Sequence, residues 1–196
     1  MAADLMGSKT IAIPMKEFRH DLPALAQAVT KKTKLLFIAN PNNPTGTYNT
    51  RREVEQLLVD LKSKKYHGLV VFDEAYYEYA NVEKDYPETV AYLKEYPNLV
   101  ILRTFSKIYS LAGLRIGYGI ARPELIGYLD RIRPPFNVNS LAQVAAVASL
   151  GDKNQVTRSV RLIQKEKKWL YRELEKLNLN YVKTAANFIL IQLHCD

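Results

Sequence analysis

The sequence predicts an α/β fold of three layers, with helices on both faces of a mainly parallel sheet. Two observations support this prediction. Short, almost continuously apolar runs recur along the chain, and longer segments with apolar residues at helical spacing separate them. Strands that are apolar along their whole length are typical of parallel sheets, because helices bury both faces of such a sheet.

The apolar runs are predicted as the strands of this sheet. They cover residues 10–13, 34–39, 68–72, 98–102 and 115–121. Helices are predicted between them. The segment DLPALAQAV starts with Asp21, a residue type that caps helices, and has a proline in its first turn. The segment REVEQLLVDLKS repeats apolar residues on one helix face (Val54, Leu57, Leu58 and Leu61).

The later part of the chain predicts the start of a second, smaller domain. Prolines in RIRPPFNVNS stop the preceding helix, residues 140–150 are predicted as a helix, and a long helix follows from about residue 154 to residue 177. Its apolar stripe consists of Val156, Val160, Ile163, Leu170, Leu174 and Leu177. The segment NFILIQL then reads as a strand.

These patterns predict two domains. We expect a large domain over residues 1–150, and a bridging helix with the first part of a small α+β domain over residues 151–196. Both are expected to be incomplete. The first residues, MAADLMGSKT, resemble the tail of a helix, and the strand near the end of the chain has too few partners for a sheet.

Composition excludes several classes of protein. The chain is 47% hydrophobic and 24% charged, which is typical of globular proteins, and no apolar run approaches the roughly 18 residues of a membrane-spanning helix. The N-terminus lacks the order of a signal peptide. The single cysteine, Cys195, excludes an internal disulfide and agrees with a reducing compartment. We therefore expect a cytoplasmic protein without a membrane partner.

The histidines and the basic residues do not indicate a metal or nucleic-acid site. His20, His67 and His194 are scattered without metal-ligand spacing, so no metal site is predicted. A net charge of +8 raises the question of nucleic-acid binding. The basic residues, however, are spread over several polar segments and no nucleic-acid motif accompanies them. We interpret them as solvated helix faces and helix ends.

Polar segments follow three of the predicted strands. They occur in FIANPNNPTG, VVFDEAYYEY and VILRTFSKIYS. Ligands of open parallel sheets bind at the carboxyl ends of the strands, so these segments are the candidate site. Asp73 ends an apolar strand, where a carboxylate either caps the next helix or holds a cation. Taken alone, NPNNPTG is a turn, and Lys107 is an exposed lysine.

Taken together, the segments resemble one family. ANPNNPTG, DEAYYEY and TFSKIYSLAGLRIGY, in this order, are similar to the aspartate-aminotransferase superfamily of pyridoxal-phosphate enzymes of fold type I. The segments FRHDL and RPPFNVNSLAQ look most like those of the histidinol-phosphate aminotransferases. The resemblance covers nearly the whole chain, and it implies pyridoxal 5'-phosphate as the cofactor.

The resemblance also assigns roles to individual residues. It implies that Lys107 bonds to the cofactor aldehyde and later moves the substrate proton, and that Asp73 faces the pyridine nitrogen. Asn43 and Tyr76 would hydrogen-bond the ring oxygen. Lys107, Asp73 and Tyr76 are thus the expected catalytic residues.

Further residues are implied at the two ends of the ligand. Thr104, Ser106 and Arg115 would bind the phosphate, with arginine supplying a bidentate fork. Asn187 matches a position near the substrate, although a turn before the strand explains it equally well.

The function implied by the resemblance is amino transfer between histidinol phosphate and 2-oxoglutarate, with a small-molecule amino donor, a 2-oxo acid and a homo-oligomeric enzyme. Complete family members are longer at both ends, so we expect a fragment. A non-catalytic aminotransferase-like fragment is therefore the alternative. A related aromatic aminotransferase and a threonine-phosphate decarboxylase also remain open.

Overall fold

The structure, a computed structural model, describes residues 5–193. Within that range we number the helices and strands separately in chain order. The helices are α1 (Leu22–Ala28), α2 (Arg51–Ser63), α3 (Tyr77–Ala80), α4 (Pro123–Ile132), α5 (Ser140–Gly151) and α6 (Lys153–Lys176). The strands are β1 (Leu35–Ala39), β2 (Leu69–Asp73), β3 (Leu99–Thr104), β4 (Gly117–Ala121), β5 (Asn180–Val182) and β6 (Leu190–Gln192). Two 3-10 helices, Thr89–Lys94 and Ala112–Leu114, precede and follow β3 along the chain.

The main sheet has the strand order β1-β2-β3-β4. Strands β1, β2 and β3 are parallel, and β4 is antiparallel to β3. In register, Asp73 lies opposite Ala39 and Leu102, while Thr104 lies opposite Gly117. The carboxyl ends of the parallel strands and the start of β4 therefore share one edge of the sheet.

Helices α1 and α2 cover one face of this sheet. The Asp21 side chain accepts a hydrogen bond from Ala24 N at 3.0 Å and so begins α1. Thr50 and Glu53 form a reciprocal capping box that begins α2. The predicted apolar face of α2 is buried against the strands, among them Ile38 and Phe72, which are both fully buried. Local capping and hydrophobic burial thus explain both helices.

The prediction of a strand over residues 10–13 is wrong. These residues form no strand, and Ile11 is 61% exposed. An apolar run becomes a strand only where a neighbouring strand can pair with its backbone groups. Among residues 5–193, both sheets are formed by β1 to β6, and residues 10–13 are part of neither sheet.

Helix α6 connects the main sheet to a small second sheet. Strands β5 and β6 pair antiparallel after it. The first half of the predicted apolar stripe packs against Tyr76 and its neighbours through Val156, Val160 and Ile163. The second half is less covered, because Leu174 is buried but Leu177 is 67% exposed. The division of the chain near residue 150 stays a prediction.

Candidate active site

The loop after β1 is fixed by its own polar side chains. Asn40 is buried, its backbone N–H donates to Asp73 O at 2.9 Å, and its Oδ1 accepts from Asn49 N at 2.7 Å. Farther along, Asn42 Nδ2 donates to Thr45 Oγ1 at 2.9 Å. These bonds hold the loop against the end of β2 and leave Asn43 exposed at its tip.

Gly46 ties this loop to the C-terminal part of the chain. Its O accepts from Ala185 N at 2.8 Å and from Thr184 Oγ1 at 3.3 Å. Its φ is +72°, and a Cβ placed there would lie 2.0 Å from Thr184 Oγ1. Both the backbone conformation and the close approach therefore require glycine at this position.

Asp73 ends β2 with a half-buried carboxylate. Its Oδ1 accepts from Ala75 N at 3.2 Å, whereas Tyr76, the N-cap residue of α3, makes no side-chain capping bond. Burial raises the pKa of Asp73, and the Ala75 hydrogen bond only partly opposes this rise. No salt bridge to Asp73 forms within residues 5–193. The carboxylate therefore organises a turn and still lacks a cationic partner in this part of the chain.

Tyr76 brings residues from distant segments together. Its hydroxyl oxygen accepts from Asn43 Nδ2 at 3.0 Å, and Lys107 Nζ lies 5.3 Å from the centre of its ring. Phe188 packs edge-on against the same ring, with 5.2 Å between the centroids. Tyr76 is itself buried, and it thus links the ends of β1 and β3 to the segment beside Asn187.

The segment after β3 alternates between buried and outward-facing residues. Phe105 and Ile108 are buried, while Ser106 is partly exposed and Lys107 is exposed. Thr104 Oγ1 accepts from Ser106 N at 3.0 Å, which closes a tight turn. The apolar anchors hold the turn, and the hydroxyls and the amine remain on its open side.

Arg115 lies near this turn but does not contact its hydroxyls directly. Phe105 N donates to Ile116 O at 3.2 Å, which brings the residue before Ile116 beside the turn. Arg115 adopts a left-handed backbone conformation with φ of 54°, and its Nη1 donates to Ala112 O at 2.6 Å. Asn187 is also exposed, next to Phe188. The structure thus groups Asn43, Tyr76 and Lys107 closely and leaves Arg115 and Asn187 at the periphery.

The sequence interpretation missed a buried polar network beside these residues. Glu74 is fully buried, and its Oε2 accepts from Arg103 Nε at 2.9 Å, while Thr89 Oγ1 donates to its Oε1. The Arg103 guanidinium carbon lies 3.4 Å from the centre of the Tyr77 ring. Arg103 also lies 3.5 Å from Glu88 Oε1, and the Tyr77 hydroxyl donates to Glu88.

Burial dominates the electrostatics of this network. It raises the pKa of Glu74 to about 7, against the lowering effects of Thr89 and Arg103. The sequence did contain a signal for this network. Glu74 follows Asp73 at the end of one strand, and Arg103, of opposite charge, precedes Thr104 at the end of the neighbouring strand. That signal could be read as a pair only with the register of β2 against β3.

The described part of the chain shows neither a candidate metal centre nor a candidate membrane-spanning helix. Among residues 5–193, no group of three or more histidine, cysteine, aspartate or glutamate side chains is arranged to hold a metal ion. Over the same described range, no helix combines the length and apolarity needed to cross a membrane.

Comparison with known proteins identifies the family. A family model described as aminotransferase class I and II matches residues 1–196. The chain belongs to this aminotransferase family. The resemblance inferred from its sequence segments is therefore confirmed.

The relatives of this aminotransferase chain include histidinol-phosphate aminotransferases. The one from Moorella thermoacetica is 50% identical over 198 residues, which covers 100% of the chain and 50% of the relative. One from Nitrosococcus oceani is 49% identical over 189 residues and covers 96% of the chain and 50% of the relative. The chain thus spans about half the length of the relatives it matches.

A solved structure agrees with the fold of this aminotransferase chain. Histidinol-phosphate aminotransferase from Sinorhizobium meliloti, determined in complex with pyridoxal-5'-phosphate, superimposes with a TM-score of 0.87 at 31% identity. The match covers 97% of the chain and 50% of that structure. The predicted α/β class with a mainly parallel sheet is confirmed.

Proposed function

We propose that this chain carries the cofactor lysine of a pyridoxal-phosphate-dependent aminotransferase, and that Lys107 is this lysine. The observation that supports the proposal most is the meeting of Asn43, Tyr76 and Lys107 at the sheet edge where Asp73 ends β2. Pyridoxal phosphate, when bound, supplies an aldehyde that bonds to amines and a pyridine ring that accepts electrons.

Asp73 fits the pyridine nitrogen of such a cofactor. Its carboxylate is half-buried, its pKa is raised by burial, and within residues 5–193 it has no salt-bridge partner. A protonated ring nitrogen would supply the missing positive charge. Asp73 would then hold the proton on that nitrogen, which strengthens electron withdrawal by the ring.

Asn43 and Tyr76 fit a ring oxygen of the cofactor. Because the Tyr76 oxygen accepts its hydrogen bond from Asn43 Nδ2, its own O–H proton can be donated to a ligand oxygen. The Asn43 amide has a second N–H that can be donated to a ligand, and its side chain is exposed at the loop tip. Together they would orient the ring and polarise the bond to the amine.

Lys107 is placed to move a proton. Its side chain is exposed, while its neighbour Ile108 is fully buried and holds the backbone in place. The amine is therefore accessible to a small-molecule substrate. We propose that Nζ, once the substrate amine has displaced it, would take and hold the proton of the substrate Cα.

Thr104, Ser106 and Arg115 fit a phosphate group. The Thr104 oxygen accepts from Ser106 N, so both hydroxyl protons can be donated to an anion. Arg115 uses Nη1 for Ala112 O and keeps other N–H groups for a charge-assisted contact.

We propose histidinol phosphate and 2-oxoglutarate as substrates, because relatives about half identical to the chain are named histidinol-phosphate aminotransferases. Asn187 is proposed to lie near the substrate, since its neighbour Phe188 packs on Tyr76. A cytoplasmic location is part of the same proposal and rests on the sequence composition.

We further propose that the enzyme is a homo-oligomer. Helix α5 exposes Leu141, Val144 and Val147 by 74%, 70% and 74%. Monomeric proteins rarely expose apolar side chains so close together on one face. Measurement of the mass in solution tests this part of the proposal, and a monomer at all concentrations would contradict it.

Reduction with borohydride tests the role of Lys107. The purified chain is mixed with pyridoxal phosphate and reduced, and the pyridoxyl-labelled lysines are located by mass spectrometry. We expect label on Lys107, and loss of that label in Lys107→Arg. Lys167→Arg is the matched control, because burial lowers the pKa of Lys167 and so favours its neutral, nucleophilic form. Label spread over many lysines would contradict the proposal.

Turnover distinguishes the active enzyme from a non-catalytic relative. Histidinol phosphate and 2-oxoglutarate are added to a separate, unreduced sample of the chain with pyridoxal phosphate, and formation of glutamate is followed. Glutamate formation that disappears in Lys107→Arg supports amino transfer. Specific label on Lys107 without glutamate identifies the chain as a cofactor-binding fragment. Carbon dioxide released from threonine phosphate would instead indicate a decarboxylase.

A further inference from the structure

The buried polar network lies directly beside the candidate active site in the sequence. Each of its main members is the chain neighbour of a predicted site residue (Glu74 of Asp73, Tyr77 of Tyr76, and Arg103 of Thr104). Successive side chains of a strand point to opposite faces. In β3 this places the side chains of Arg103 and Thr104 on opposite faces of the sheet.

The pair of Glu74 and Arg103 continues the contact between β2 and β3 past the last residues that pair in the sheet. Strand β2 ends at Asp73, opposite Leu102, and the backbone N of Glu74 donates to Leu102 O at 2.8 Å. The guanidinium group then approaches Glu74 Oε2 through Nε and Nη2, each at 2.9 Å. Two groups with a fixed planar shape thus join the ends of β2 and β3.

Burial makes this pair a poor device for stability alone. The side chain of Glu74 is 0% exposed and that of Arg103 is 11% exposed. Apolar side chains of similar volume stabilise a fold as well as a buried ion pair does, because the pair loses its hydration. What the ion pair adds is direction, since the charge-assisted hydrogen bond from Arg103 Nε to Glu74 Oε2 joins the end of β3 to the end of β2.

We propose that Glu74 and Arg103 are positioning residues, whose ion pair fixes the ends of β2 and β3 so that Asp73 and Lys107 face the same ligand. The identity of that ligand rests on the function proposed above. The second contact of Arg103, on the Tyr77 ring, carries the same constraint to the turn that holds Tyr76.

Amide hydrogen exchange tests the positioning without any cofactor. Ala75 N–H binds the Asp73 carboxylate and Ser106 N–H binds Thr104 Oγ1, so each reports on one strand end. In Glu74→Gln we expect both amides to exchange at least about tenfold faster, because opening there no longer breaks a buried ion pair. The amides of β5 and β6, which pair in the separate small sheet, keep their rates.

A double variant separates positioning from stability. In Glu74→Gln/Arg103→Met both buried charges are removed, so folding is expected even where Glu74→Gln alone fails to fold. We expect the two reporter amides to remain fast, and the affinity for pyridoxal phosphate to remain at least about tenfold weaker than in the wild type. Arg103→Lys keeps the charge without the fork, and its affinity is expected to lie between the two.

The matched control is the exposed ion pair of Lys62 and Glu95, whose N–O distance is 2.8 Å. Glu95→Gln is expected to change neither the reporter amides nor the label on Lys107, because an exposed pair contributes little. Wild-type exchange rates at Ala75 and Ser106 in both the single and the double variant would overturn the inference. So would fast exchange together with wild-type cofactor affinity.

The two proposals fail in different ways. Absence of label on Lys107 in the wild type refutes the proposed function, whereas faster exchange in the variants would still support the positioning of the strand ends. Specific label on Lys107 in the wild type, together with unchanged exchange in the variants, would support the proposed function and refute the positioning role of Glu74 and Arg103.

Discussion

Substitution of Gly46 by alanine is expected to destabilise the fold strongly. The Gly46 φ of +72° is unfavourable for any residue with a Cβ, at a cost of about 1–2 kcal/mol. The added Cβ would lie 2.0 Å from Thr184 Oγ1 and 2.6 Å from Thr184 Cβ. Forcing these groups apart adds about 1–3 kcal/mol. Gly46→Ala should therefore lower the free energy of unfolding by about 2–5 kcal/mol.

Urea unfolding followed by circular dichroism measures this effect. Gly127→Ala is the matched control, since Gly127 lies in α4 with open space around it, and alanine there should raise the free energy of unfolding by about 0.5–1 kcal/mol. In a Thr184→Gly background the steric part of the Gly46→Ala effect should disappear. A loss below about 0.5 kcal/mol for Gly46→Ala would refute the reasoning.

Three further predictions concern a helix cap, the core and a titrating group. Thr50→Ala removes the side chain that caps α2 and should lower the free energy of unfolding by about 1 kcal/mol; an unchanged urea midpoint would contradict this. Leu58→Ala, at a position 1% exposed, should lower the free energy of unfolding by about 2–5 kcal/mol. Val59→Ala, at a position 49% exposed, should lower it by less than about 0.5 kcal/mol. Equal urea midpoints for the two variants would rule out the burial argument. Burial raises the folded pKa of Asp73 above its ordinary value of 3.8, so its contribution to stability is present below pH 3.8 and is lost as the pH rises through the folded value. Asp73→Asn should therefore gain stability relative to the wild type over that range, and parallel stability curves for the two proteins across pH would show that the carboxylate is not perturbed.

Features that depend on nearby residues could be predicted from the sequence. The helix α2 followed from its apolar spacing, and the same residues that were predicted to face the core are buried. The strand ends at Asp73 and near Thr104 followed from apolar runs that stop at polar residues. These features need no knowledge of distant parts of the chain.

Features that depend on distant residues could not be predicted. The apolar residues 10–13 resemble a strand, but pairing requires a neighbour that their own sequence does not specify. The strand β5 is short and partly polar, and it exists through its pairing with β6. The contact between Glu74 and Arg103 joins residues that are 29 positions apart and needs the register of two strands.

The bonds of Gly46 to Thr184 and Ala185 give the candidate active site a thermodynamic linkage. The loop that presents Asn43 and the segment that precedes Asn187 share two hydrogen bonds, at 2.8 Å and 3.3 Å. A ligand that orders one of these segments must then favour the ordered state of the other by the same coupling free energy. Occupancy at the Asn43 side and at the Asn187 side would consequently be reciprocal, so that each ligand raises the affinity for the other.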